Sequence, residues 1–528
     1  MIRGLGEAAF WVAFWGGLLF LHRRESGLKA TWRPAWADFF LLAAGLPIFL
    51  ALLAAAGRPL LAAALFLAPA GLLYFLNRVK VAVLREPLVF ADVQMGRQLF
   101  FFPRFYWPYI PLGPLLAGTA ALIAVLAALS HLAAPCLLSG RARLFCGLAA
   151  ASLGLLWARA FRGAGTDGGF FSKSLTFDPV SDGRRYGLIG AAMLSGIWQR
   201  RFGPSAIGPL VKPSPDGLAE RCPWPLRRPL EGLKPHLVLV QAESFFHLRR
   251  LFPGLGSGWT DNFDRLSAEG LSGLMAAAAY GAYTVRTEFA VLTGLAEESL
   301  GSFKFNPYSL AARVGIGSLP RWLAGQGYEA VCLHPGHPNF FRRAEALPNL
   351  GFHRFVSAGA FRRARRCGPY VADSAVLERL AAELRGASGP KFFFAVTIEA
   401  HGPWPHGRLR GAPAPKDMEA WPERLRAEGP YGGPAAYARH LRHADAFLGS
   451  LAGLELERPL VLGWYGDHVG SLPRGLELAG EHKTATDFLV WRRHWRPDDG
   501  SDLSRPIPPE RLGTFLLAAL RGNHERPA

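Results

Sequence analysis

Leu112–Leu132 is an apolar run close to the ~20 residues that a helix needs to cross a bilayer core. Inside hydrocarbon no water can pair the backbone N–H and C=O groups, so such a run must be a helix. It has companions. Ala8–Leu21, closed by Arg23 and Arg24, Phe39–Ala56, Leu60–Leu76 and Leu144–Ala158 are apolar too, and Gly57-Arg58-Pro59 reads as a tight turn at the membrane edge. Residues 1–161 are therefore expected to form a transmembrane domain of about five helices, or four if the short Leu144–Ala158, flanked by Arg141, Arg143 and Arg159, stays outside. Ala8–Leu21 lacks a small-residue cleavage site and reads as an uncleaved span. Glu86–Asp92, within the basic and aromatic stretch Asn77–Tyr109, reads either as an interfacial piece or as an ordinary amphipathic loop.

The chain then changes character. Residues 162–232 form a Gly-, Pro- and Arg-rich connector with one helical piece around Tyr186–Arg200. From His236 strand, loop and helix alternate, the signature of an α/β domain with a mostly parallel sheet and helices on both faces, expected over residues 233–520. Formal net charge is +19. No helix-turn-helix, zinc-finger or RNA-recognition signature accompanies that charge, so nucleic acid is not the expected partner; the anionic headgroups of a lipid bilayer are. Five cysteines form no CxxC and no zinc-ligand spacing, and a Cys332–Cys367 bridge would require an oxidising compartment. The loops after the first and third spans are the most basic, which with five spans places the C-terminal domain in the cytoplasm. The chemistry points the other way.

Four strand-like runs end in residues that bear chemistry. His236–Ala242 leads to Glu243, Glu329–Leu333 to His334, Lys391–Ile398 to Glu399-Ala-His401, and Pro459–Tyr465 to Gly466-Asp467-His468. In open α/β sheets ligands bind outside the carboxyl ends of the strands. Glu243, Asp467 and His468 offer two carboxylates and one imidazole, a set suited to manganese, zinc or magnesium. Ala279–Gly294 reads as a small-residue loop carrying Thr284, followed by an apolar helix starting near Thr287. A hydroxyl at a helix mouth sits where N–H groups and the dipole favour an anion, and a metal holding Thr284 Oγ would make it a nucleophile toward phosphorus. His401 would serve as acid and base, and Arg343 as a two-pronged cation for phosphate oxygens. Glu288 is expected to support the loop.

These motifs resemble the lipoteichoic acid synthase-type phosphoglycerol transferases of the alkaline phosphatase and sulfatase superfamily. The resemblance is carried by Glu243-Ser-Phe, by Thr284-Val-Arg-Thr-Glu-Phe with Leu292-Thr-Gly behind it, by His334 with Arg343 and Leu350-Gly-Phe352, and by Gly466-Asp-His. It implies several membrane helices joined to an extracytoplasmic alkaline phosphatase-like domain in the cell membrane of a bacterium. It further implies one manganese-type ion on Glu243, Thr284, Asp467 and His468, and a headgroup pocket of His334, Phe341, Arg343 and His401. Phosphatidylglycerol would be the donor and an envelope glycan the acceptor. Departures bear on the headgroup: Phe341 stands where Trp is expected, and Gly336 and Leu472 where polar residues are expected. A phosphoethanolamine transferase is the alternative, although such enzymes usually carry a disulfide-rich domain. A sulfatase would need a Cys/Ser-x-Pro-x-Arg box, which the chain lacks.

Overall fold

The computed structural model describes residues 35–131, 138–163, 175–204, 229–409, 416–427, 431–472, 482–495 and 503–522, with a few isolated positions between them. The chain divides into two compact units, Met1–Gly203 and Pro204–Ala528.

In the first unit, four helices among the described residues are long and apolar enough to cross a membrane: Ala37–Ala56, Pro59–Leu84, Leu112–Ser130 and Gly140–Arg159. Leu112–Ser130 buries none of its apolar window within the chain, as a surface facing lipid requires. The expected first span, Ala8–Leu21, lies outside the described residues apart from Gly16. Pro59 opens its helix at a position where no backbone donor is lost. That helix outruns the apolar run Leu60–Leu76 and continues to Leu84, because its polar end is satisfied locally. Buried Lys80 donates to the Pro87 carbonyl at 2.9 Å and to Asp92 at 2.7 Å, and Asn77 accepts from the Leu88 N–H at 2.8 Å. Glu86–Asp92 is thereby folded back onto the helix end, where Asp92 also caps the short helix Phe90–Met95. The helical piece of the connector runs from Pro179 to Phe202, with Asp178 as its N-cap. It bends at Gly187 and belongs to the first unit, where Gln199 meets Gln94 at 3.1 Å. The chain is a membrane protein with a C-terminal α/β domain.

The second unit is built on β1 (His236–Ala242), β2 (Leu271–Met275), β3 (Glu329–Leu333), β4 (Arg354–Val356), β5 (Arg366–Cys367), β6 (Tyr370–Val371), β7 (Lys391–Val396), β8 (Leu460–Gly466) and β9 (Thr486–Arg492). β5 and β6 form a separate two-stranded ribbon, and the rest make one sheet in the order β2-β9-β8-β1-β7-β3-β4. The strands from β8 to β4 run parallel, while β9 is antiparallel to both β8 and β2. Continuous burial along β1 and β8 matches their unbroken apolar runs, because parallel strands are covered on both faces. The four strands singled out by their end residues are thus neighbours, β8-β1-β7-β3, and they deliver those residues to one edge.

Candidate active site

Register brings the first pair together. Ala242 of β1 pairs with Gly466 of β8, so Glu243 and Asp467 are the next residues out on adjacent parallel strands. Gly466 has to be glycine, since a Cβ there would lie 1.9 Å from the Phe245 carbonyl oxygen. His468 follows, with Nε2 3.2 Å from Asp467 Oδ2 and 3.8 Å from Glu243 Oε1. Ser244, left-handed at φ 52°, donates its N–H to Asp467 Oδ1 and its hydroxyl to Glu243 Oε1, both at 2.8 Å. Ser244 orients both carboxylates, a role unread in the sequence because its only local signal is its place beside Glu243.

The three donors fit a divalent cation. One ligand atom from each of Glu243, Asp467 and His468 lies within 4.8 Å of the others, and all three residues are buried. Asp467 Oδ2 has no hydrogen-bond partner among the described residues. Burial, then the Asp467 charge, pushes the Glu243 carboxyl above its usual range, as expected for two carboxylates sharing a site without a counterion.

Thr284 begins the helix Thr284–Thr293, three residues ahead of the expected start, behind Tyr283 in a left-handed conformation at φ 62°. A bulky residue there is strained by ~1–3 kcal/mol, a cost that clusters at functional sites. Two anchors bracket Thr284. The Gly281 N–H donates to the Val469 carbonyl at 2.9 Å, and Thr287 Oγ1 donates to the Asp467 carbonyl at 2.8 Å. Residues three apart share a helix face, so Thr284 lies on the Thr287 side, toward the segment carrying Asp467 and His468.

Arg343 differs from expectation. It is buried, and its Nη2 and Nε donate to Glu288 at 2.8 and 3.3 Å. The two-pronged grip expected for phosphate is taken by Glu288, whose carboxylate also accepts from the Tyr308 hydroxyl and lies 3.3 Å from Gln241 Nε2. A guanidinium this deep needs a fixed counterion, which is what Glu288 supplies in addition to supporting the loop. The Arg343 charge still reaches Glu243, lowering its carboxyl, and stands over the Phe341 ring at 5.5 Å. Phe341 is buried in a left-handed conformation, so it packs against Arg343.

His334 is buried, its Nδ1 3.2 Å from the Val396 carbonyl. Burial and then the Arg343 charge push its pKa down, leaving the ring neutral, with Nδ1–H donating and an acceptor lone pair on Nε2. That nitrogen lies over Gly336, where a Cβ would come within 2.3 Å of it. A side chain at Gly336 would therefore require the imidazole to shift. His401 places Nδ1 2.7 Å from the Gly402 carbonyl and 3.4 Å from the Tyr370 hydroxyl. A carbonyl only accepts, so Nδ1 carries the proton and Nε2 is the nitrogen that exchanges one. Leu472 is half-buried, and Cys332 and Cys367 are unbridged.

The Sulfatase family model matches residues 235–505, just over half of the chain. The chain belongs to the Sulfatase family. The matched region holds both β-edge carboxylates, Thr284 and all three site histidines. Capsular polysaccharide biosynthesis protein RkpI of Rhizobium meliloti (strain 1021) is 32% identical over 240 residues, 44% of this chain and 41% of that protein. A second R. meliloti protein, named for cyclic beta-1,2-glucan modification, is 27% identical over 266 residues, 50% of this chain and 38% of that one. The chain thus spans about two fifths of the length of these relatives. Among solved structures, Streptococcus pyogenes phosphoglycerol transferase GacH, in complex with sn-glycerol-1-phosphate, shares 20% identity over 61% of this chain and 88% of that one, with a TM-score of 0.42. Within this Sulfatase-family domain the stretch at Thr284 reads Thr-Val-Arg-Thr.

Proposed function

We propose that this chain moves a glycerophosphate group from phosphatidylglycerol to an envelope glycan, through a phosphothreonine formed on Thr284. The observation that carries the reading is the double anchoring of the Thr284 segment to Asp467 and Val469, beside the buried Glu243–Asp467–His468 cluster. A divalent ion, of the manganese, magnesium or zinc type, would be held by those three residues with Thr284 Oγ and would polarise a phosphoryl oxygen when bound. Thr284, its hydroxyl proton lost to solvent, attacks phosphorus through Oγ as the bond to the diacylglycerol oxygen breaks, and protonated His401 Nε2 gives that oxygen its proton. In the second half His401 Nε2 takes the proton of the acceptor hydroxyl, which attacks phosphorus and releases Thr284 as the alkoxide that begins the next turnover. Neutral His334 offers its Nε2 lone pair to a glycerol hydroxyl. Arg343 contributes charge from its Glu288 pair, over Phe341.

Tethering to membrane helices suits a donor whose reactive phosphorus lies at headgroup depth, and both rhizobial relatives are named for glycans. Residues from Arg162 onward would then lie on the outer face of the cell membrane, with residues 233–520 as the catalytic domain. The test uses the full chain in nanodiscs with headgroup-labelled phosphatidylglycerol or phosphatidylethanolamine. Faster diacylglycerol release from the glycerol lipid, with a glycerophosphate adduct on the peptide containing Thr284, is expected. Preference for the ethanolamine lipid would overturn the donor, and turnover without any threonine adduct would overturn the two-step route.

A further inference from the structure

A second group of metal-ligand side chains lies in the same domain. Cys367, Glu399, His440 and His443 each present one donor atom, all within 4.8 Å of one another. Three separate elements supply them. Cys367 stands on β5 of the small ribbon, and Glu399 on the loop after β7. His440 and His443 lie on the helix Gly433–Ala452, three residues apart and so on one face.

The atoms converge on a common point. His440 Nδ1 and His443 Nδ1 lie 2.9 and 2.6 Å from the same oxygen, Glu399 Oε1, and each lies 3.9 Å from Cys367 Sγ. Zinc bonded at ~2.3 Å to sulfur and ~2.0–2.1 Å to nitrogen or oxygen gives tetrahedron edges of about 3.3–3.6 Å. These four edges bracket that range, and a central ion would change each of them by less than about 0.8 Å. Glu399 and His440 are almost wholly buried, at 1% and 0% exposure. The other Glu399 oxygen is fixed by the Asp373 N–H at 2.7 Å, the kind of outer contact that aims a ligand. Asp373 itself buries both carboxylate oxygens with no hydrogen-bond partner among the described residues. A buried carboxylate without a partner beside a thiol and a second carboxylate calls for positive charge.

We infer that Cys367, Glu399, His440 and His443 form a second, closed divalent-metal site of the zinc type. One sulfur, two imidazoles and one carboxylate complete a tetrahedron, leaving no position for substrate, which marks the site as structural. It pins the helix and the ribbon to the loop that carries His401, two residues beyond Glu399. Arg408 knits that loop further, donating to the carbonyls of Glu399, His401 and Pro403.

The test is cobalt titration of the full-length protein in detergent, with elemental analysis alongside. A thiolate ligand gives Co(II) a near-ultraviolet charge-transfer band that carboxylate and imidazole ligands do not. The wild type should show that band and bind two ions. Cys367→Ser should abolish the band, and His443→Ala, at the most exposed ligand, should weaken cobalt and zinc binding there by more than the ~10–100-fold that loss of an outer-shell partner costs. Asp467→Asn should keep the band while losing the other ion. Absence of the band in the wild type, or a band that survives Cys367→Ser, would reduce the group to a hydrogen-bonded cluster and overturn the site.

Discussion

The two clusters of the α/β domain are made from overlapping chemistry and would serve opposite ends. At Glu243, Asp467 and His468, oxygen donors predominate, and the Thr284 helix is tied to the same segment through Thr287 and the Asp467 carbonyl. At Cys367, Glu399, His440 and His443, sulfur and nitrogen predominate, and the four donors lie within 4.8 Å of one another. The first cluster comes from the ends of adjacent strands, so its spacing is set by sheet register. The second joins a strand ribbon, a loop and a helix, so its spacing exists only once those elements have packed. An open ligand set serves reaction, whereas a closed one fixes chain segments in place.

The sharpest way to break this comparison is Thr284→Ala. Turnover should fall by at least ~10⁴-fold, because the group removed forms the covalent intermediate. Thermal unfolding should show a stability change of no more than ~1 kcal/mol, the size of a lost helix-end contact. Residual turnover near wild type would remove Thr284 from the reaction. Asp467→Asn comes next, since it deletes a charged ligand but spares the nucleophile. Its activity should drop roughly 10²–10³-fold and recover in part when divalent metal is raised, a rescue that Thr284→Ala should not show.

A change in the second cluster should reverse the pattern. His443→Ala is expected to cost less than ~10-fold in turnover. Its unfolding midpoint should rise less with added zinc than that of the wild type, which should gain a further ~2.7 kcal/mol from this site at a zinc concentration a hundred times the site's dissociation constant. Loss of chemistry at unchanged stability would place His443 in the reaction and erase the distinction. The smallest effect is expected for Tyr370→Phe, which removes the hydroxyl 3.4 Å from His401 Nδ1. A neutral hydrogen bond of ~0.5–1 kcal/mol corresponds to about two- to fivefold in rate, read in kcat with KM little changed.

The sequence by itself determined what period and chain order can encode. Unbroken apolar runs demanded helices in lipid, and strands buried on both faces demanded a parallel sheet whose carboxyl ends carry Glu243, His334, His401 and Asp467-His468. Even so, Lys80 carried its helix eight residues past the apolar run, because pairing with Asp92 removed the reason to stop. Side-chain partnership across the chain was illegible, since no local pattern says which charge a guanidinium will meet. Tertiary packing gave Arg343 to Glu288, set His334 over Gly336, and put Ser244 between two carboxylates. It also gathered Cys367, Glu399 and the His440/His443 pair from three elements. Local spacing does not record the long-range members of these pairings, because Glu288 for Arg343, Asp467 for Ser244 and Glu399 for His440 are each met only when a polar group is buried far from its partner in sequence.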